Sequence, residues 1–106
     1  MNTQLRFAGL ALLAASMVVP AVAQTSGADV YKAKCQMCHG AAGMAESGVG
    51  KAMKVKPVSD PEVKKMSEAQ MVDAVRKGMG KMQPYQDKLS DAQIKASVAH
   101  FRTFVK

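Results

Sequence analysis

The run Cys35-Gln36-Met37-Cys38-His39 constrains this chain more than any other stretch, because it holds both of its cysteines. Two cysteines cannot build the dense disulfide scaffold of a small secreted domain. Spaced as they are here, at the end of a helix, the two thiols lie near each other, within reach of one planar group. The imidazole that follows can turn toward the centre of that group. Three plainer arrangements share the spacing: a thioredoxin-like redox pair, half of a zinc site, or a small structural disulfide. The first needs a βαβ setting, and no stretch alternates apolar and polar residues long enough to be a strand. The second lacks another Cys/His pair, His100 being the only other strong candidate ligand.

The spacing reads as the attachment pattern of a c-type haem. In that pattern Cys35 and Cys38 form thioethers with the two vinyl groups, and His39 coordinates the iron. The other ring nitrogen of such a histidine usually donates to a backbone carbonyl, which fixes its tautomer. One covalently attached haem c per chain is expected.

Residues 1–23 read as a cleaved secretory leader. Arg6 supplies the positive start, Phe7 to Val19 the Ala/Leu-rich apolar run, and Ala21-Val22-Ala23 a small-x-small cleavage site before Gln24. The apolar run falls short of the ~20 residues that span a bilayer, so no stable membrane insertion is expected. Export to the periplasm agrees with haem attachment, which in bacteria follows translocation. Cleavage leaves one domain, residues 24–106. The whole chain has three Phe, two Tyr and no Trp, so something else should help to fill its centre. Small domains commonly lean on a metal, a disulfide or a partner for this.

The mature chain reads as all-α. A first helix runs from about Ala28 to Gln36, with Ser26 as a cap. Ser67-Glu68-Ala69-Gln70 and Ser90-Asp91-Ala92-Gln93 are capping boxes that start two more helices. Met66 with Met71, and Leu89 with Ile94, stand where hydrophobic staples belong. Ile94, Val98, Phe101 and Val105 recur on one helical face. A shorter helix can start at Pro61 behind Ser59 or Asp60, and Lys51 to Val55 can form one helical turn.

An iron held by one histidine needs a sixth ligand or keeps an open position. Met79 and Met82 lie in a glycine-flanked loop after the second capped helix, and glycines let backbone approach a flat group closely. Met82 is the favoured ligand and Met79 the alternative.

Over residues 27–106 the chain resembles the small bacterial class I (monohaem) c-type cytochromes. Gly27, Tyr31 and Cys35 match their opening helix, Asp91 to Val105 their closing one, and Lys81-Met82-Gln83-Pro84-Tyr85 their axial-methionine stretch. The resemblance implies the cytochrome c fold: three to four helices around one covalently bound haem, with the N- and C-terminal helices crossing. Such proteins commonly follow the haem histidine with a proline whose carbonyl receives the imidazole N–H. None occurs here between His39 and Pro57, so a carbonyl from residues 46–50 is expected instead. Ser97 and His100 replace a large aliphatic and an aromatic, which predicts a looser crossing. His100 lies roughly 120° around the helix from the apolar stripe, at the boundary of the buried face.

The formal charge of +7 falls by one when Arg6 leaves with the leader. An exported chain with no basic helix carrying interleaved aromatics is not expected to bind nucleic acid. Lys51, Lys54, Lys56, Lys81 and Lys88 flank the segments expected to frame the haem. They predict redox partner proteins with acidic docking surfaces. With His39 and Met82 both bound, no iron position is open to substrate. The leading reading is a monomeric, soluble periplasmic electron carrier, not an enzyme, cycling iron between II and III. The alternatives are a small haem enzyme or gas-binding sensor with a labile sixth ligand, and a haem-free thiol–disulfide protein.

Overall fold

Short polar side chains start five of the six helices among the described residues. A computed structural model describes residues 26–106, together with the isolated residues 9, 14 and 15. Apart from those three, the expected leader and its cleavage site at Ala23/Gln24 lie outside the described residues. The helices are α1 (Gly27–Lys34), α2 (Gln36–His39), α3 (Gly48–Ala52), α4 (Pro61–Lys65), α5 (Glu68–Lys77) and α6 (Asp91–Arg102).

Both expected capping boxes form. The Ser67 hydroxyl accepts from the Gln70 N–H at 3.1 Å, and the Gln70 amide oxygen accepts from the Ser67 N–H at 2.8 Å. Ser90 and Gln93 repeat the exchange at 3.2 and 2.9 Å. Each box satisfies two backbone donors that a helix start otherwise leaves unpaired. Asp60 caps α4, with Pro61 at its first position.

Two boundaries differ from the sequence reading. The first helix closes at Lys34, and the chain re-enters helix as α2 after Cys35. The turn expected over residues 51–55 forms earlier, as α3, because the Ser47 hydroxyl accepts from the Gly50 N–H at 2.9 Å. The described residues contain no strand, only an isolated antiparallel bridge between Met79 and Met82. No helix among them is long and apolar enough to cross a membrane.

The core lies where α1, α5 and α6 meet. Val30, Met71, Val72, Leu89, Ile94 and Val98 are buried together, with Met66, Tyr85, Phe101 and Val105 packed around them. Both staples thus sit on the core, Met66 only partly buried. Full burial of each large aliphatic side chain contributes about 1.5–3 kcal/mol.

The contact of α1 with α6 corrects the expectation of a loose crossing. A Cβ on Gly27 would lie 2.1 Å from the Ala96 carbonyl oxygen, so the two backbones touch where a side chain would hold them apart. Ser97 is buried because its hydroxyl donates to the Ile94 carbonyl at 2.8 Å, removing the cost of desolvating it. His100 is half-buried, its ring 5.3 Å from that of Tyr31 and 5.1 Å from that of Phe104. A small residue at the crossing and a satisfied hydroxyl give a closer fit than the missing large side chains suggest.

Candidate cofactor site

Cys35, Cys38 and His39 are brought together by one helical turn. The Cys35 carbonyl accepts from the N–H groups of both Cys38 and His39, at 3.2 and 3.0 Å. Gly40 ends the turn with φ +83°, a conformation that a side chain strains. Both thiols are free and half-buried. Met37, between them, turns away and is 73% exposed.

Three hydroxyls and a backbone amide hold this turn from outside. Tyr31 donates to the Gly40 carbonyl at 2.6 Å. Tyr85 donates to the Lys34 carbonyl at 3.2 Å, across a sequence separation of 51 residues. The chain's two tyrosines therefore grip the two flanks of the Cys35–His39 run. Ser47 donates to the Met37 carbonyl at 2.6 Å, and the Ala45 N–H donates to the His39 carbonyl at 2.8 Å. Ala45 does so with φ +54°. These partners were not legible as site residues, although the tyrosine spacing was visible as part of the resemblance.

The His39 ring packs edge-on against Phe101 of α6, centroid to centroid 5.4 Å. Burial holds its pKa below the ordinary imidazole value, so the ring is neutral with a lone pair to offer. Its Nδ1 is buried and has no hydrogen-bond partner. The carbonyl expected from residues 46–50 does not reach it. Because residues 48–52 fold as α3, the carbonyls of Ser47, Val49 and Gly50 are taken up by the N–H groups of Lys51, Met53 and Val55. Burial, then the charge of Cys38, pushes the Cys35 thiol up to about 11.

Met82 stands on a separate hairpin between α5 and α6. It is half-buried, whereas Met79 is 60% exposed. The hairpin's exit is tied to the cysteine turn by the Tyr85 hydroxyl. Lys51, Lys54 and Lys81 are exposed, while Lys56 is paired with Glu62 and Lys88 donates to Gln83.

This donor set fits a c-type haem. Two free thiols and a neutral imidazole share one turn, and thioethers stand on a nearby glycine-rich hairpin. Met44, Val49 and Met53 are also exposed on the segment after His39, apolar surface that a flat apolar group would cover. No group of three or more His, Cys, Asp or Glu side chains suited to a metal ion occurs among the described residues.

Comparison with known proteins points to cytochromes. The family model described as cytochrome C oxidase, cbb3-type, subunit III matches residues 22–101. Among solved structures the chain is similar to the KustC0563 c-type cytochrome, with TM-score 0.70 and 27% identity over 77% of this chain and all of that one. It is also similar to a variant of that protein with one tyrosine changed to phenylalanine, with TM-score 0.67 and 26% identity over 76% of this chain and 99% of the other. No match was found among curated protein sequences.

Proposed function

The chain belongs to the family described as cytochrome C oxidase, cbb3-type, subunit III, and on that footing we propose that this small monohaem c-type cytochrome is a soluble periplasmic electron carrier. Cys35 and Cys38 hold the haem covalently, and His39 and Met82 hold its iron. The bound group supplies one-electron chemistry between Fe(II) and Fe(III), and a soft thioether ligand favours the reduced state.

The observation that carries the reading is the half-buried His39 imidazole, its Nδ1 buried and unpartnered, directly after two free thiols on a turn whose flanks are held by two tyrosines. That grip keeps the ligand's backbone from moving when the iron changes charge, which favours rapid electron exchange. The leader-like residues 1–23 support a periplasmic location. The exposed Lys51, Lys54 and Lys81 support brief docking of a monomer to acidic redox partners.

Absorption spectra of protein from a maturation-competent host test the reading. Reduced haem bands that survive denaturation show covalent attachment, and Cys35→Ser/Cys38→Ser should abolish them. A weak near-infrared sulfur-to-iron band marks methionine ligation. Carbon monoxide binding to the unaltered protein would instead favour an enzyme or gas sensor with an open site. Purified protein without haem would favour a thiol–disulfide role.

A further inference from the structure

The segment Met79-Gly80-Lys81-Met82 is a two-residue hairpin turn. The Met79 N–H donates to the Met82 carbonyl at 3.1 Å, and the Met82 N–H donates to the Met79 carbonyl at 2.9 Å. Residues that exchange both bonds in an antiparallel bridge project their side chains to the same face, with Cα atoms about 5.5 Å apart. Gly80 has φ +57° and Lys81 lies outside the left-handed region, the sign pattern of a type II′ turn. The two thioethers thus emerge side by side rather than on opposite faces.

The base of this hairpin is tight and its tip is free. A Cβ on Gly78 would lie 2.7 Å from the Met82 carbonyl oxygen and 3.0 Å from the Pro84 nitrogen. One on Gly80 would meet nothing within 4 Å. After the turn the Tyr85 N–H donates to the Val75 carbonyl at 2.9 Å, locking the exit to α5. Of the two paired residues Met82 is half-buried, while Met79 is 60% exposed. Methionine side chains are unbranched and adaptable, so one can take the other's place by rotamer changes without rebuilding the turn.

We propose that Met79 is a reserve iron ligand, the hairpin presenting two interchangeable thioethers to the coordination position that His39 leaves. The proposal rests on the reading of Met82 as the resident ligand. In the resting protein Met82 holds the iron, and Met79 replaces it when the Met82 thioether is removed, or when a peroxide transfers its outer oxygen to that sulfur, giving the sulfoxide and releasing water. An oxidised thioether is polar and a poorer soft donor, so a second methionine on the same face preserves a closed, low-spin site.

The test uses the haem-loaded protein and Met82→Ala, Met82→Leu, Met79→Ala and the Met79→Ala/Met82→Ala double variant. Helical circular dichroism is matched to the parent, and Met82→Leu retains the bulk of the half-buried side chain. The near-infrared sulfur-to-iron band and carbon monoxide binding to the reduced form are read for each. The expected result is a band and no carbon monoxide binding in all single variants, with loss of the band and full binding only in the double variant. Loss of the band with full carbon monoxide binding in both Met82 variants would overturn the reserve role and leave the Met82 reading intact. Loss in Met79→Ala alone would overturn both, as would a band that survives in the double variant.

Discussion

The Tyr31 phenol donates a 2.6 Å hydrogen bond to the carbonyl of Gly40, nine residues later and beyond the Cys35–His39 turn. The ring itself is buried and packs on Phe104, centroids 5.5 Å apart. One side chain thus joins α1, the end of the cysteine turn and the segment that follows α6. Tyr31→Phe keeps the ring and removes only this bond. The Gly43 N–H still pairs that carbonyl at 3.2 Å, so the expected loss is about 1 kcal/mol. Guanidinium unfolding of the haem-loaded pair measures it, and an unchanged midpoint would show that the bond contributes nothing net.

The same phenol sets an alkaline limit. Burial above all, then the charge of Cys35 while its thiol is free, and that of Glu46, raises its pKa well above the ordinary 10.0. A group that holds its proton more tightly folded than unfolded contributes full stability below its unfolded pKa. That contribution falls as pH rises beyond it. The stability of the parent should therefore drop toward that of Tyr31→Phe above about pH 10. A difference between the two that stays constant to about pH 11 would exclude the phenol as the cause.

Gly27→Ala should be among the most damaging single-methyl additions in the chain. The new Cβ would meet backbone, 2.1 Å from the Ala96 oxygen and 2.6 Å from its carbonyl carbon, so no side-chain rotation relieves it. Overpacking of this kind costs about 1–3 kcal/mol, and the upper part of that range is expected. Thermal and denaturant melts read the loss. Near-parental stability would mean that α1 slides along α6 at little cost.

Ser90→Ala should cost about 1 kcal/mol, the usual value of an N-cap. The serine accepts from the Gln93 N–H at 3.2 Å at the start of the helix that carries Ile94 and Val98. Ser67→Ala should cost a similar amount at α5. Adding Gln93→Ala to Ser90→Ala should cost less than the two single losses together, because each box works as a unit. Full additivity in a double-mutant cycle would argue against that coupling.

Electron exchange with an acidic partner should slow as salt rises, since charges are screened beyond roughly 8 Å at physiological ionic strength. Lys51→Glu, Lys54→Glu and Lys81→Glu should lower the bimolecular rate most. Lys56→Glu should matter less, because the Lys56 ammonium is already paired with Glu62. Stopped-flow rates across a salt series decide the matter, and a flat or rising profile would point to apolar docking or a basic partner.

What the sequence determined by itself is local. The Cys35–His39 spacing, the serine–glutamine boxes and the aliphatic stripe of α6 all act within about one helical turn, where backbone geometry dictates which groups meet. Those features were enough to read an all-α chain and a candidate haem attachment. Only the tertiary structure decided which distant groups converge on that turn, Tyr85 on the Lys34 carbonyl and Ser47 on that of Met37, and that Gly27 meets Ala96 where α1 crosses α6. The helical folding of residues 48–52 likewise took up the carbonyls expected to serve His39, leaving its Nδ1 unpartnered. Met79 and Met82 share a face because the two residues between them close a turn with one particular sign of φ at Gly80. Such outcomes depend on how whole helices pack and on the exact path of each loop, where a shift of a few ångströms exchanges one hydrogen-bond partner for another.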